Sequence, residues 1–382
     1  MKKLLTIAVA LLTIQVNGQT NQELESKINN LADQIEEFKK ERPAGEKVHI
    51  GGYGELAYSK TEEGEKDTNG GTPKFDNKRF ILYIGYDFST KWSLVSEIEI
   101  EHADEIFMEQ AYLNYAPSKN INYRVGTLII PMGHLNLYHE PTTFFGTQRT
   151  ESETNIIPST WRENGLGVYG ANEKYSYYLY YVTGLTAKNS AAKVIGSSGI
   201  RNGRQKASNA DAHKGAFVGR FDFKVTPSVE VGSSVYSGKL NGTVSDVSHN
   251  VYDIHYKGQF GAFYTRALWT ELTLSNTEDL NGEHATDVGE KMTGAYFELG
   301  YNILHGSSEL QFIPFVRHEA INTHASVASG LTADKSKDET HQTLGFVVKP
   351  LENIVFKADY TKTTNAAKTG TDSWNLGVGW NF

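Results

Sequence analysis

Residues 374–382 read WNLGVGWNF, and this closing stretch decides the fold. Trp374, Leu376, Val378, Trp380 and Phe382 fall on one side, and Asn375, Gly377, Gly379 and Asn381 on the other. A period of two belongs to a β-strand. Working outward, the same pattern recurs. Ile354, Phe356, Ala358 and Tyr360 oppose Val355, Lys357, Asp359 and Thr361, and Trp92, Leu94, Ile98 and Ile100 oppose Ser93, Glu97, Glu99 and Glu101. Phe217, Phe221 and Phe223 oppose Arg220, Asp222 and Lys224. In a soluble sandwich the apolar face meets a dry core, whereas in a membrane barrel it meets lipid and the charged face lines the lumen. Alternation alone does not choose between these.

The connections do. Strands are expected near 47–59, 77–87, 91–102, 106–116, 119–129, 163–170, 174–184 and 214–225. Eight more are expected near 227–238, 248–257, 260–275, 290–302, 309–320, 339–349, 353–363 and 371–382. The links between them form two sets. The generally longer set is 60–76, 103–105, 130–162, 185–213, 239–247, 276–289, 321–338 and 364–370; the tight set is 88–90, 117–118, 171–173, 226, 258–259, 303–308 and 350–352. Apart from 103–105, long strictly alternates with tight. Short periplasmic turns and long external loops give that signature in an outer-membrane β-barrel, and sandwiches have no reason to segregate loops by parity. The expected fold is all-β, an antiparallel barrel of about sixteen strands, with fourteen and eighteen as neighbouring counts.

Composition agrees. The chain of 382 residues has 21 Tyr, 18 Phe and 36 Gly, and no cysteine for disulfides or thiolate metal sites. Its mean hydropathy of -0.44 is compatible with a barrel, whose lumen and loops are polar. A net charge of -8 supplies no basic field for nucleic acid. At the N-terminus, Lys2 and Lys3 precede the apolar run Leu4–Val16 and a small-residue site at Val16-Asn17-Gly18. This reads as a secretory signal peptide over 1–18. Leu24, Ile28, Leu31, Ile35 and Phe38 then step by four and three, predicting an amphipathic helix over about 20–42 that breaks at Pro43. It either lies against a barrel mouth or forms a short periplasmic coiled coil. The expected organisation is signal peptide 1–18, helix and linker 19–46, and barrel 47–382.

One link is not a simple surface loop. Residues 126–165 read GTLIIPMGHLNLYHEPTTFFGTQRTESETNIIPSTWRENG. The stretch resembles the signature region of porins related to the phosphate-selective porin O and P family. The resemblance rests on Gly126, Pro131 and Gly133; Tyr138, His139, Glu140 and Pro141; Phe144 or Phe145 with Gly146 and Arg149; and Ile156, Ile157, Pro158, Thr160 and Trp161. Weaker matches are Arg220 and the runs Pro314–Arg317 and Asn322–His324. The resemblance implies a sixteen-stranded barrel, usually a homotrimer, whose third external loop folds inward and narrows the pore. By the independent count of links, 130–162 is the third external one.

The family's phosphate selectivity depends on a ladder of basic residues. Here the polar faces carry Arg79, Arg124, Arg220, Lys224, Arg266, Arg317 and Lys357, but also Glu55, Glu97, Glu99, Glu101, Asp222, Glu298 and Asp359. Signs that nearly balance predict weak selectivity. Tyr178 and Tyr180 point to the same face, where they could stack a solute or belong to a girdle. Gly51, Gly126, Gly232, Gly300 and Gly377, also on inward faces, are expected to leave room for water.

His134, His139 and Glu140, with Glu151 and Glu153, offer metal-ligand chemistry, but Pro141 follows Glu140 at once and no helical face collects them. Pinning the loop to the wall suits His139 and Glu140 better, because polar groups at membrane depth must be satisfied internally. No Gly-x-Ser-x-Gly turn is present, so no enzyme and no cofactor are expected. The expected function is passive diffusion of small hydrophilic solutes or ions across the outer membrane. Arg124, Arg220, Arg266, Arg317, Lys357, Glu97 and Glu99 would line the pore, with Tyr138, His139, Glu140, Pro141, Arg149 and Trp161 on the constriction loop. The competing expectations are an anion-selective porin and a non-conducting structural or adhesive barrel.

Overall fold

The computed structural model describes residues 47–62, 64–65, 71–118, 120–189 and 191–382. The signal peptide and the helix expected over 20–42 lie outside the described residues.

Sixteen antiparallel strands close into a barrel. They are β1 (Val48–Glu62), β2 (Lys74–Asp87), β3 (Trp92–Glu101), β4 (Glu105–Tyr115), β5 (Asn122–Ile129), β6 (Arg162–Ala171), β7 (Tyr175–Thr183) and β8 (Gly215–Thr226). The second half comprises β9 (Val229–Lys239), β10 (Ser248–Phe260), β11 (Phe263–Leu274), β12 (Lys291–Tyr301), β13 (Gln311–Ser326), β14 (Asp338–Leu351), β15 (Ile354–Asn365) and β16 (Asp372–Asn381). Each strand pairs with its sequence neighbours, and β1 closes on β16 from Tyr53↔Asn381 to Glu62↔Asp372. Closure leaves no unpaired edge, the condition for strands to cross a bilayer. No helix among the described residues is long and apolar enough to cross a membrane.

The two faces of the wall separate as the alternation predicts. On β16, Trp374 and Leu376 are exposed while Asn375 is buried; on β8, Phe217, Phe221 and Phe223 are exposed while Arg220 and Asp222 are buried. Leu179, Ile254, Phe297, Leu344 and Phe356 continue the exposed apolar face around the barrel. A continuous outer face of this kind is untenable in water and ordinary in lipid. The charged residues go to the inside.

The short link 102–104 is a tight hairpin turn. His102 and Ala103 both take positive φ, and the Asp104 N–H donates to the Glu101 carbonyl. Three details differ from expectation. β13 runs on to Ser326, well past the expected end near 320, because Ile321 and Thr323 still find buried positions there. The link 276–289 contains the helix α1 (Thr277–His284), which Leu280 anchors by full burial. The link 185–213, polar in composition, is no simple solvated loop. Leu185, Ala187, Ile195 and Ile200 are buried in it, and its backbone is bonded to the 130–161 segment through Ile200 N–H to the Asn155 carbonyl.

The segment 130–161 lies against the inner face of the wall. Ile130, Met132, Leu137, Ile156, Ile157 and Trp161 form one buried cluster with Tyr112, Tyr169, Tyr178, Tyr180 and Tyr236 of the strands. Three of the five glycines expected to admit water, Gly232, Gly300 and Gly377, admit side chains instead. A Cβ at Gly300 would come within 2.5 Å of the Phe145 ring, and one at Gly377 within 3.1 Å of Thr147. At Gly232 the space is taken by Asp222 and His255, and at Gly126 by the β4 backbone at Ala111. Gly379 seats Pro141 in the same way. The missing Cβ atoms let the segment approach the wall.

Candidate functional site

The segment is built to hold one shape. Gly133 adopts φ +62 beside the Glu153 carboxylate, a conformation and a proximity that disfavour any Cβ. The base is closed by Ile130 N–H to the Trp161 carbonyl at 2.8 Å and by Trp161 N–H to Asn136 Oδ1 at 3.1 Å. Trp161 itself is fully buried, its ring 4.3 Å from that of Tyr236 on β9. Across the segment, Glu153 Oε1 accepts the backbone N–H groups of His134 at 2.5 Å and Leu135 at 2.7 Å, while its Oε2 accepts the Tyr296 hydroxyl of β12 at 2.6 Å. Burial pushes the Glu153 carboxyl above its ordinary range, and burial followed by the nearby His255 pushes the His134 imidazole well below its own.

Wall side chains then clasp the segment backbone. Arg266 donates to the Thr143 carbonyl at 2.8 Å, Lys357 to Gly146 at 3.0 Å, Arg317 to Gln148 at 3.3 Å and Lys349 to Thr142 at 2.6 Å. Arg220 donates to the Gly133 carbonyl and is paired to Asp222 at 2.8 Å. Carboxylates hold the N–H groups between them. Asp359 accepts Thr147 N–H at 2.7 Å, Glu319 accepts Ser152 N–H at 2.7 Å, and Asp253 accepts Gly133 N–H at 3.1 Å. Loop backbone has no internal ladder, and these bonds satisfy it.

Among the five basic residues expected along the pore, Arg124 is the exception. Its guanidinium lies between the rings of Tyr169 at 3.7 Å and Tyr112 at 4.8 Å and donates to the Tyr180 hydroxyl at 3.2 Å. Tyr180 is thus a partner of Arg124, and Tyr178 stands in T-shaped contact with it. Glu99 meets Arg79 at 3.5 Å and Arg162 at 3.9 Å. Of the seven residues expected along the pore, Arg124, Arg220, Arg317, Lys357, Glu97 and Glu99 are all at most 7 % exposed. Arg266 alone among them lines a cavity of about 410 Å³. His134, Tyr138 and Phe145 bound that cavity on one side, and Lys257, Glu230, Glu298 and Lys349 at the tight-turn end of the wall bound it on the other.

Of the segment residues, Pro141 is seated on Gly379, and Arg149 donates to the His139 carbonyl at 3.2 Å. Tyr138 lies under the Lys257 ammonium, 4.5 Å from its ring centre. The set His134, His139, Glu140, Glu151 and Glu153 does not converge. Glu151 bonds Asn155, His134 stacks edge-on with His255, and Glu153 holds the segment's own backbone. His139 instead meets two wall carboxylates, Glu97 and Glu109, and these three could hold a metal ion. Glu109, Glu319 and Lys349 escaped the sequence reading. Glu109 had a usable signal: in 105–115 the apolar positions change from even numbers (Ile106, Met108) to odd ones (Ala111, Leu113), with Glu109-Gln110 at the break.

The barrel resembles solved outer-membrane channels at low sequence identity. An anion-selective porin from Comamonas acidovorans superposes with a TM-score of 0.59 at 10 % identity, over 88 % of this chain and 99 % of that one. A Salmonella typhi OmpF complex with daunomycin gives 0.58 at 12 % identity, over 88 % and 98 %. The outer-membrane channel DcaP of Acinetobacter baumannii gives 0.56 at 12 %, over 88 % and 97 %. No family model matches the sequence. A protein of Aquifex aeolicus (strain VF5), described only as uncharacterized, is 34 % identical over 358 residues, covering 88 % of this chain and 80 % of that protein. The chain belongs to the family of this Aquifex aeolicus protein, and its barrel has the fold of outer-membrane porins.

Proposed function

We propose that the protein is an outer-membrane porin that passes small hydrophilic solutes or ions, with 130–161 as the inward-folded third external loop. The observation that carries the proposal is the division of the wall: a continuous exposed apolar face outside, and charged residues inside that meet one another or the loop. A water-filled passage needs that polarity, and a soluble barrel would reverse it. The loop narrows the passage, and the cavity on its tight-turn side is the periplasmic vestibule. The trimer and the relation to the phosphate-selective family rest on the sequence resemblance described above.

Phosphate selectivity is disfavoured. Arg79 pairs with Glu55 at 3.2 Å, Arg220 with Asp222 at 2.8 Å, Lys257 with Glu230 at 2.9 Å and Arg317 with Glu298 at 3.5 Å. Paired charges give a weak field of mixed sign. The depth of burial of the basic side chains favours a second reading, a barrel plugged by its own loop. Planar-bilayer recording of the refolded protein separates these, with a reversal potential taken across a salt gradient. Discrete steps of weak selectivity support the porin. Steps of strong anion preference, blocked by added phosphate, support the family's selectivity. A well-folded barrel that never conducts overturns the proposal in favour of the plug.

A further inference from the structure

The third and fourth strands pair out of step at one point. Glu97 faces Gln110, but the next residue, Ile98, faces Met108. Glu109 is therefore the extra residue of a β-bulge, a device that re-aims side chains. As a result Glu109 and Gln110, although adjacent, both turn inward and are buried.

Gln110 donates its amide to Glu97 Oε1. Glu97 Oε2 and both carboxylate oxygens of Glu109 are left buried without a hydrogen-bond partner. His139 Nε2 faces them, 3.8 Å from Glu109 Oε2 and 4.0 Å from Glu97 Oε2, and it too has no hydrogen-bond partner. The other ring nitrogen, Nδ1, lies 2.9 Å from the Asn136 carbonyl oxygen. A carbonyl only accepts, so Nδ1 carries the proton, and the neutral ring presents the Nε2 lone pair to two carboxylates. The nearby guanidinium groups are directed elsewhere: Arg79 to Glu55 and Glu99, and Arg149 to the His139 carbonyl. The buried hydroxyl of Tyr53, whose ring is 6.0 Å from that of His139, is a further oxygen without a partner.

We propose that Glu97, Glu109 and His139 bind one divalent transition-metal ion of the zinc or manganese class, fastening the 130–161 segment to the β3–β4 wall. One imidazole and two carboxylates suit such an ion, and its charge offsets the two acids. The three ligand atoms lie within 4.8 Å of one another. Ligands about 2.2 Å from a common ion stand about 3.6 Å apart in a tetrahedral shell, so the separations of 3.8 and 4.0 Å would close by a few tenths of an ångström on binding. The supporting bonds are those expected around a metal site: the second imidazole nitrogen donates to a backbone carbonyl, and Gln110 orients Glu97. The site stands whether or not the barrel conducts.

The test is metal content and X-ray absorption of the full chain, refolded in detergent with ZnCl2 or MnCl2 and then washed with EDTA. The expected result is about one ion retained per folded chain, in an all-nitrogen-and-oxygen shell containing a single imidazole. Glu109→Gln should retain at least tenfold less, and Glu101→Gln, an acid outside the cluster on the same wall, should retain the wild-type amount. Folded wild-type protein retaining neither metal would overturn the site, as would Glu109→Gln retaining as much as wild type. Should Glu109→Gln fail to fold, the wild-type spectrum decides, because a shell with two or more imidazoles cannot be this one.

Discussion

Removing the Glu153 carboxylate should unlatch the segment without unfolding the barrel. In Glu153→Ala the N–H groups of His134 and Leu135 and the Tyr296 hydroxyl lose the acceptor they share, all in a buried region. An orphaned buried polar group costs about 1–3 kcal/mol, so three could cost far more; water entering the space left by the side chain would recover part of it. A net loss of about 3 kcal/mol in local stability is the working figure. At about 1.4 kcal/mol per factor of ten, amide exchange around 133–136 should accelerate roughly a hundredfold. The sixteen strands, held by their own ladders, should keep their protection. Glu153→Gln is the control. It keeps one oxygen for the backbone donors and gives up the second oxygen and the charge, which burial already disfavours. Its amide can donate to the Tyr296 oxygen, so a loss of about 1 kcal/mol and roughly fivefold faster exchange are expected. The assay is hydrogen–deuterium exchange read by mass spectrometry on protein refolded in detergent. Unchanged exchange at 133–136 in the alanine variant would refute the latch. Acceleration spread evenly over all sixteen strands would refute it too, since it would show the segment and wall opening as one unit.

Three further outcomes follow from other contacts. Gly300→Val drives a side chain into the Phe145 ring and towards Ile313, and should destabilise the seat by about 1–3 kcal/mol. Adding Phe145→Ala should return part of it, and strict additivity in the double-mutant cycle would contradict the contact. Glu283 bonds the Thr243 hydroxyl at 2.7 Å and the Val244 N–H at 2.8 Å, and these hold its carboxyl below the ordinary value. A depressed folded value means the tether is present above the unfolded carboxylate range and lost as pH falls through the folded value. Intrinsically corrected exchange at 243–245 should therefore rise on acidification, and Glu283→Gln should flatten the profile. Arg266→Glu reverses a charge on the cavity wall, and should move the reversal potential toward cations at unchanged salt. An unmoved potential in a conducting variant would place the ion path elsewhere.

The wall was legible because a barrel strand has only two environments. In WNLGVGWNF every second residue must suit lipid, and the sequence obeys without exception. The bulge at Glu109 was harder, since one extra residue exchanges the faces of everything after it, and a reader who holds one phase through 105–115 sends either Glu109 or Gln110 to the wrong side. Glycine was misread for a physical reason. Its presence at 300, 377 and 379 reports that something comes close, and backbone space for Phe145, Thr147 or Pro141 looks the same in sequence as space for water. The link 185–213 conceals its buried residues in its composition. Its serines, lysines and asparagines outnumber the few residues that matter, Leu185, Ala187, Ile195 and Ile200, which are spaced too irregularly to show a period.

The basic residues acquire a different meaning from these positions. A guanidinium or ammonium facing a lumen can meet a passing anion, or it can meet a carbonyl of the protein, and the same donors serve both. Here Arg220, Arg266, Arg317, Lys349 and Lys357 meet carbonyls of the segment, so the inner loop occupies donors of the ladder that anion selectivity would require. At the cavity, Lys257, Arg266 and Lys349 stand with Glu230, Glu298 and Glu352, three charges of each sign. A solute there would meet a transverse field of mixed sign. On the proposed porin reading, selectivity would come from width, which the Glu153 latch and the glycine seats would set, more than from charge. Loosening the latch should therefore alter conductance before it alters the reversal potential, and a variant that moved the potential alone would reverse that order.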